Sequence, residues 1–157
     1  MSKTEFQYFY KRNLPHHQPP AATFFITFRL YDSLPEFVIK QLEELNKFKK
    51  KPGFLNNDLE QDNEFALLER YLDNPEQEPV WLKDQQIAKL ISDAIHYQDG
   101  KRYRLDAYCI MPNHVHLVIT PLMCQGHYYA LAEIMKLLKG STSRSANQIL
   151  GRRGPFW

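Results

Sequence analysis

The stretch Tyr108-Cys109-Ile110-Met111-Pro112-Asn113-His114-Val115-His116-Leu117-Val118-Ile119 sets two histidines two residues apart at the start of an apolar run. In a strand alternate residues share a face, so His114 and His116 would point one way while Val115, Leu117 and Ile119 point the other. Met111-Pro112-Asn113 supplies the break before it, since proline suits the second position of a tight turn and asparagine tolerates the bend that follows. Residues 104–110 then read as the preceding antiparallel strand. Two neutral imidazoles side by side on a strand can hold one divalent metal and leave room for oxygen ligands from another element and for a phosphate.

Working outward, a chain of 157 residues with 43% hydrophobic content can bury one sizeable core and reads as a single domain. It contains no apolar run of 18 residues, and Ser2-Lys3-Thr4-Glu5 opens it without an apolar signal core, so neither a membrane span nor a secretion signal is expected. Cys109 and Cys124 are too few for a disulfide framework and fit a reducing cytosol. Residues 1–100 hold 12 Lys/Arg against 16 Asp/Glu, a net of −4, whereas residues 101–157 hold 8 against 2, a net of +6. The half that carries the histidine pair is the basic half. Positive charge gathered around a candidate metal site suits a polyanion, nucleic acid above all, although an ordinary solvated surface would carry the same pattern.

Residues 1–21 are expected to be an extended arm, because Pro15, Pro19 and Pro20 resist both helix and central strand. His16 and His17 are adjacent and diverge in an extended arm, which makes them surface or partner contacts. Residues 22–30 are aromatic and β-branched and predict a central strand. Ser33 and Glu36 form a capping-box pattern, and Val38, Leu42 and Leu45 at helical spacing predict a first helix over about 34–50. Lys49-Lys50-Lys51-Pro52-Gly53 ends it. Residues of about 51–80 are acidic and rich in Asn and Gln, and read as a surface insertion with one short helical stretch near 64–72.

Asp84 is the N-cap of a further helix whose apolar face is Ile87, Leu90, Ile91, Ala94 and Ile95, and Asp99-Gly100 stops it. After the histidine strand come a short loop over 121–127 and a last helix with Leu131, Ile134, Met135 and Leu138 on one face. Gly140 weakens that helix, and Ser141-Thr142-Ser143 offers a fresh cap for a continuation to Leu150. Gly151 to Trp157 reads as a turn leading into a strand. The order is α+β, the β-α-β-β-α part of a ferredoxin-like antiparallel sheet with helices on one face.

The chain resembles the REP-associated tyrosine transposases, a branch of the single-tyrosine HUH transposases related to the IS200/IS605 group. The residues that carry the resemblance are Phe9 to His16, Ala22 to Leu30, Asp99-Gly100-Lys101-Arg102-Tyr103, Ala107 to His116, Leu137-Leu138-Lys139-Gly140 and Gly151 to Trp157. It implies an IS200-like transposase domain over 22–157, with His114 and His116 binding Mg²⁺ or Mn²⁺. It also implies cleavage of single-stranded or hairpin DNA by a tyrosine hydroxyl, which forms a 5′-phosphotyrosine link that a second 3′-hydroxyl resolves. A cytoplasmic, nucleoid-associated protein follows, with an exposed sheet edge that invites a homodimer. In that family the tyrosine and a third ligand lie on a helix after a closing strand. Both would fall beyond Trp157, so the domain is expected to be incomplete at its C-terminus, lacking the closing strand and the catalytic helix. Tyr103, Tyr108, Tyr128 and Tyr129 do not occupy the matching place.

DNA contacts are expected from Lys136, Lys139, Arg144, Arg152 and Arg153, which crowd the last segment. Two other readings stay open. One is a non-catalytic DNA-binding remnant of such a transposase. The other is a small zinc site made by His114, His116, Cys124 and His127.

Overall fold

Alternation builds the sheet. In β1 (Phe24–Arg29), Phe24, Ile26 and Phe28 are buried while Phe25, Thr27 and Arg29 lie on the other side, the two-residue period of a strand with one apolar face. β2 (Tyr103–Ile110) and β3 (His114–Pro121) complete a three-stranded antiparallel sheet in the order β1-β3-β2. The computed structural model describes residues 18–49, 58–74 and 79–157. β3 is the central strand, and Val115, Leu117 and Ile119 on it are fully buried.

β2 carries a bulge: Leu105 pairs with Ile119 and Ala107 with Val118, so Asp106 is the extra residue. Tyr103 and Leu105 before the bulge and Tyr108 and Ile110 after it therefore all reach the same core.

Between β1 and β2 the chain forms α1 (Glu36–Lys49), α2 (Asp58–Leu72), a short 3₁₀ turn (Trp81–Lys83) and α3 (Gln85–Gln98). After β3 come a two-stranded ribbon, β4 (Met123–Cys124) with β5 (His127–Tyr128), and then α4 (Leu131–Ile149). Ile87, Ile91 and Ile95 of α3 and Leu131, Ile134, Met135 and Leu138 of α4 close the core over one face of the sheet. Asp84 caps α3 as its spacing predicts, its carboxylate accepting from the N–H groups of Gln86 at 2.8 Å and Ile87 at 3.3 Å. The α+β class is as expected, with α3 and α4 on one face. The opposite face is not left bare, because α2 brings Glu69 to it. α1 and α2 share a second, smaller cluster of Leu34, Val38 and Leu72.

β1, expected to be central, lies at an edge of the sheet among the described residues, because β3 takes the middle place. Four more local expectations need correction. The Ser33–Glu36 capping box does not form: the Ser33 hydroxyl donates to the Leu30 carbonyl at 2.7 Å, and Glu36 pairs with Lys40. α4 is one helix through Gly140, because Ser141, Thr142 and Ser143 bond back to the carbonyls of Leu138 and Lys139 instead of starting a new turn. The loop at 121–127 contains the β4–β5 ribbon, turned by Gln125 (φ 50°) and Gly126 (φ 84°), a pair suited to a two-residue hairpin. The end of the chain is not a strand: Phe156 stacks on Trp81, and Trp157 packs on Phe28 while its indole N–H donates to Thr142.

The arm lies outside the described residues up to His17, including His16 and Pro15. Its last part is anchored, since buried Gln18 donates to the Tyr129 carbonyl at 2.9 Å and accepts from the Leu131 N–H at 3.1 Å. Of the insertion at about 51–80, residues 58–74 and 79–80 are described.

Candidate metal centre

The turn at Pro112-Asn113 aims the first histidine. Met111 donates its N–H to the His114 carbonyl at 2.9 Å, and Leu30 donates to the Asn113 carbonyl at 2.8 Å, which ties the turn to the end of β1. The Asn113 side chain is buried, with Oδ1 2.7 Å from His114 Nδ1. An amide oxygen only accepts, so Nδ1 carries the hydrogen and Nε2 is left with its lone pair. His116 Nδ1 lies 3.0 Å from the Thr27 hydroxyl, its register partner on β1. With Nε2 free to bind a metal, Nδ1 would carry the hydrogen and donate to that hydroxyl. Metal binding would thus call for the same tautomer in both rings.

The two Nε2 atoms face each other, 2.9 Å apart. Two lone pairs at that separation repel unless a proton or a cation lies between them. Two nitrogens each about 2.1 Å from one octahedral ion, at a right angle, would stand about 3 Å apart, so the spacing fits adjacent ligands of a single ion. Glu69 supplies the oxygen: Oε2 is 3.3 Å from His116 Nε2, and Oε1 is buried without a hydrogen-bond partner. Among the described residues, ligand atoms of Glu69, His114 and His116 lie within 4.8 Å of one another. Asp73 stands further out, its Oδ1 3.8 Å from His114 Nε2.

Burial sets the charge states. His114 is fully buried, and loss of water lowers its pKa to about 4, with His116 adding to the effect and Asp73 opposing it. A neutral imidazole at ordinary pH is what a metal requires. Burial raises the Glu69 carboxyl above its usual range and Asp73 acts the same way, while His116 and Thr27 pull it down. A divalent cation would reverse that penalty.

The sheet places the remaining sequence candidates elsewhere. Lys136, Lys139 and Arg144 lie on α4, the helix that packs on the apolar face, opposite the histidines. Lys139 is half-buried with its Nζ over the Phe28 ring, and loss of water lowers its pKa. Arg152 lies 3.9 Å over the Trp81 ring and donates to Asn147 Oδ1 and the Pro155 carbonyl, so it holds the chain end in place. Lys136, Arg144 and Arg153 are exposed.

Tyr103 is buried with its hydroxyl donating to the Ile95 carbonyl, and Tyr108 meets Ser92 and His96 of α3, so both point away from the histidine face. Tyr128 and Tyr129 sit where the ribbon joins α4. The four-ligand zinc set is not assembled. Cys124 and His127 face each other on the ribbon past the far end of β3, and Glu69 takes the third place beside the histidines.

A family model described as "Transposase IS200 like" matches residues 76–157, just over half of the chain. The chain belongs to the IS200-like transposase family. The matched segment holds α3, the β2–β3 hairpin with both histidines, and α4, whereas Glu69 and Thr27 lie before it. No curated protein and no solved structure matches the chain. For an IS200-like transposase the activity is DNA transposition and the partner is DNA. Among the described residues no helix is long and apolar enough to cross a membrane.

Glu69 is the residue that sequence reading missed. It is one of 16 acidic residues in the first hundred, in a stretch that reads as surface insertion. The available signal was its place on α2, four residues after Phe65 and three before Leu72, on the side that helix turns inward.

Proposed function

We propose that this IS200-like transposase domain cuts and rejoins single-stranded or hairpin DNA at the His114–His116 face, with Mg²⁺ or Mn²⁺ held by the two histidines and Glu69. The carrying observation is the pair of facing Nε2 atoms at 2.9 Å with the half-buried Glu69 carboxylate beside them. The bound ion would polarise a phosphoryl oxygen and stabilise its developing charge. Asn113 accepts from His114 Nδ1–H and the Thr27 hydroxyl would do the same for His116, which would keep both Nε2 atoms turned to the ion. A tyrosine hydroxyl attacks phosphorus, forming a 5′-phosphotyrosine bond as the 3′-oxygen leaves and takes up a proton. Attack by another strand's 3′-hydroxyl reverses the step and frees the tyrosine.

Since Tyr103 and Tyr108 face away from the histidines, the attacking tyrosine belongs to another segment. The REP-associated resemblance puts it on a helix that follows a closing strand, and the β1-β3-β2 order suits a ferredoxin-like sheet in which such a strand would lie beside β1. Lys136, Arg144 and Arg153, exposed on α4 and the segment after it, would neutralise phosphates of DNA that continues beyond the histidine face, giving binding that falls with salt. The same closing strand supplied by a second copy would pair with β1 and give a homodimer.

The test is Mn²⁺ titration followed by electron paramagnetic resonance, with oligonucleotide binding measured in parallel. A single Mn²⁺ site that is lost in His114→Ala and His116→Ala, and that tightens DNA binding, is expected. Full-strength Mn²⁺ binding by the double variant, or DNA binding indifferent to the metal, would overturn the reading.

A further inference from the structure

Phe25 is out of place for a residue that only fills space. It lies on the histidine side of β1, away from the core that Phe24, Ile26 and Phe28 build, and is 52% exposed. Its ring stacks on His116 with centroids 5.3 Å apart and planes at 27°, and Phe65 of α2, itself 44% exposed, meets it edge-on at 5.7 Å. One aromatic face is thus held against a candidate metal ligand while much of the residue remains open to solvent. A cation completes the setting. Arg29 pairs in register with His114 on the same face, and its guanidinium donates to two neutral oxygens, the Leu30 carbonyl and the Ser33 hydroxyl, with Asp32 acting on it through space.

We propose that Phe25, walled by Phe65, is a stacking platform for a nucleobase of a single strand whose neighbouring phosphate lies at the histidine site, with Arg29 contacting the backbone. The proposal rests on the DNA-cleavage reading above and adds how the strand is seated. Every base presents a π-face, so such a platform holds a strand without selecting its sequence, and an arginine tracking the backbone is its usual companion. An unpaired base is required, because in a duplex both faces are already stacked. This surface therefore favours melted or single-stranded DNA over duplex.

The test uses the 157-residue protein with Mn²⁺ and two probes of about twelve nucleotides, oligo(dT) and an abasic strand with the same phosphates but no bases. Phe25→Leu keeps an apolar group over His116 but removes the π-face, and Phe25→Trp enlarges it. Phe25→Leu should weaken oligo(dT) binding roughly 5- to 150-fold, the worth of stacking one base, and leave the abasic strand unchanged, while Phe25→Trp binds oligo(dT) at least as well as the parent.

Equal losses on both probes, or a matching loss of Mn²⁺ affinity in Phe25→Leu, would overturn the proposal and make Phe25 a packing residue for His116. Metal-dependent DNA binding that persists without the probe difference would defeat this inference alone. Absence of any metal-dependent DNA binding in the parent would defeat the cleavage reading as well.

Discussion

Acidification tests the buried state of His114. Its pKa falls from 6.5 in the unfolded chain to about 4 in the fold, chiefly because burial withholds water from the imidazolium. A lowered pKa means that the unfolded chain takes up a proton below 6.5 which the folded form refuses until about 4. Stability from this group is therefore whole above pH 6.5 and is lost as pH falls toward 4. The gap of about 2.5 units corresponds to about 3 kcal/mol, a large part of the 5–15 kcal/mol that holds a typical domain together. Glu69, with its pKa raised, works in the opposite direction over lower pH and offsets part of the loss.

The assay is urea unfolding of the metal-free, chelator-treated protein at pH 7.5, 6, 5 and 4, compared with His114→Gln. The parent should lose about 3 kcal/mol more than the variant over this range. Should the variant fail to fold, the imidazole proton and nitrogen shifts of His114 in the parent give the same answer, with no titration expected above about pH 5. Parallel pH dependence of parent and variant, or a His114 that titrates near 6.5, would refute the reasoning.

Other substitutions probe the same site and the core beneath it. Glu69→Gln should weaken Mn²⁺ binding by at least about tenfold in calorimetry while leaving the melting temperature in chelator unchanged or raised, since it removes a buried charge. Thr27→Val removes the hydroxyl that orients His116 and should cost about 10- to 100-fold in Mn²⁺ affinity, measured in the same way. Leu117→Ala in the central strand opens a cavity beneath the site and should destabilise the protein by about 2–5 kcal/mol in urea titration. Gln18→Ala unties the N–H of Leu131 and the carbonyl of Tyr129, and should lower stability by about 1–2 kcal/mol with faster amide exchange in the first turn of α4.

The strands and main helices were legible because their signals are local. Alternation in residues 24–29 and 114–121, the Asp84 cap and the Ile87–Ile91–Ile95 stripe each state their own structure within a few residues. The histidine pair was legible for the same reason, since a spacing of two on a strand guarantees a shared face. Glu69 was hidden because its meaning is set 45 residues away, by the face of β3 that α2 approaches. The Ser33 cap and the break at Gly140 failed for a different reason. Short hydroxyl side chains can serve a helix end or bond back to a carbonyl, and only the surrounding packing chooses between the two.

Asp106 uncouples the length of β2 from the side on which its side chains fall. In an unbroken strand, adding or removing one residue exchanges the two faces for everything downstream; here the extra residue is already absorbed where Leu105 pairs with Ile119 and Ala107 with Val118. Deleting Asp106 would straighten β2 yet leave Tyr108 and Ile110 inward and Cys109 beside His116. Inserting a second residue at that point would complete a further two-residue period, so Tyr108 and Ile110 would again stay inward and Cys109 outward. The bulge thus lets β2 vary in length at this point while its tyrosine stays against α3 and the histidine face keeps its lining.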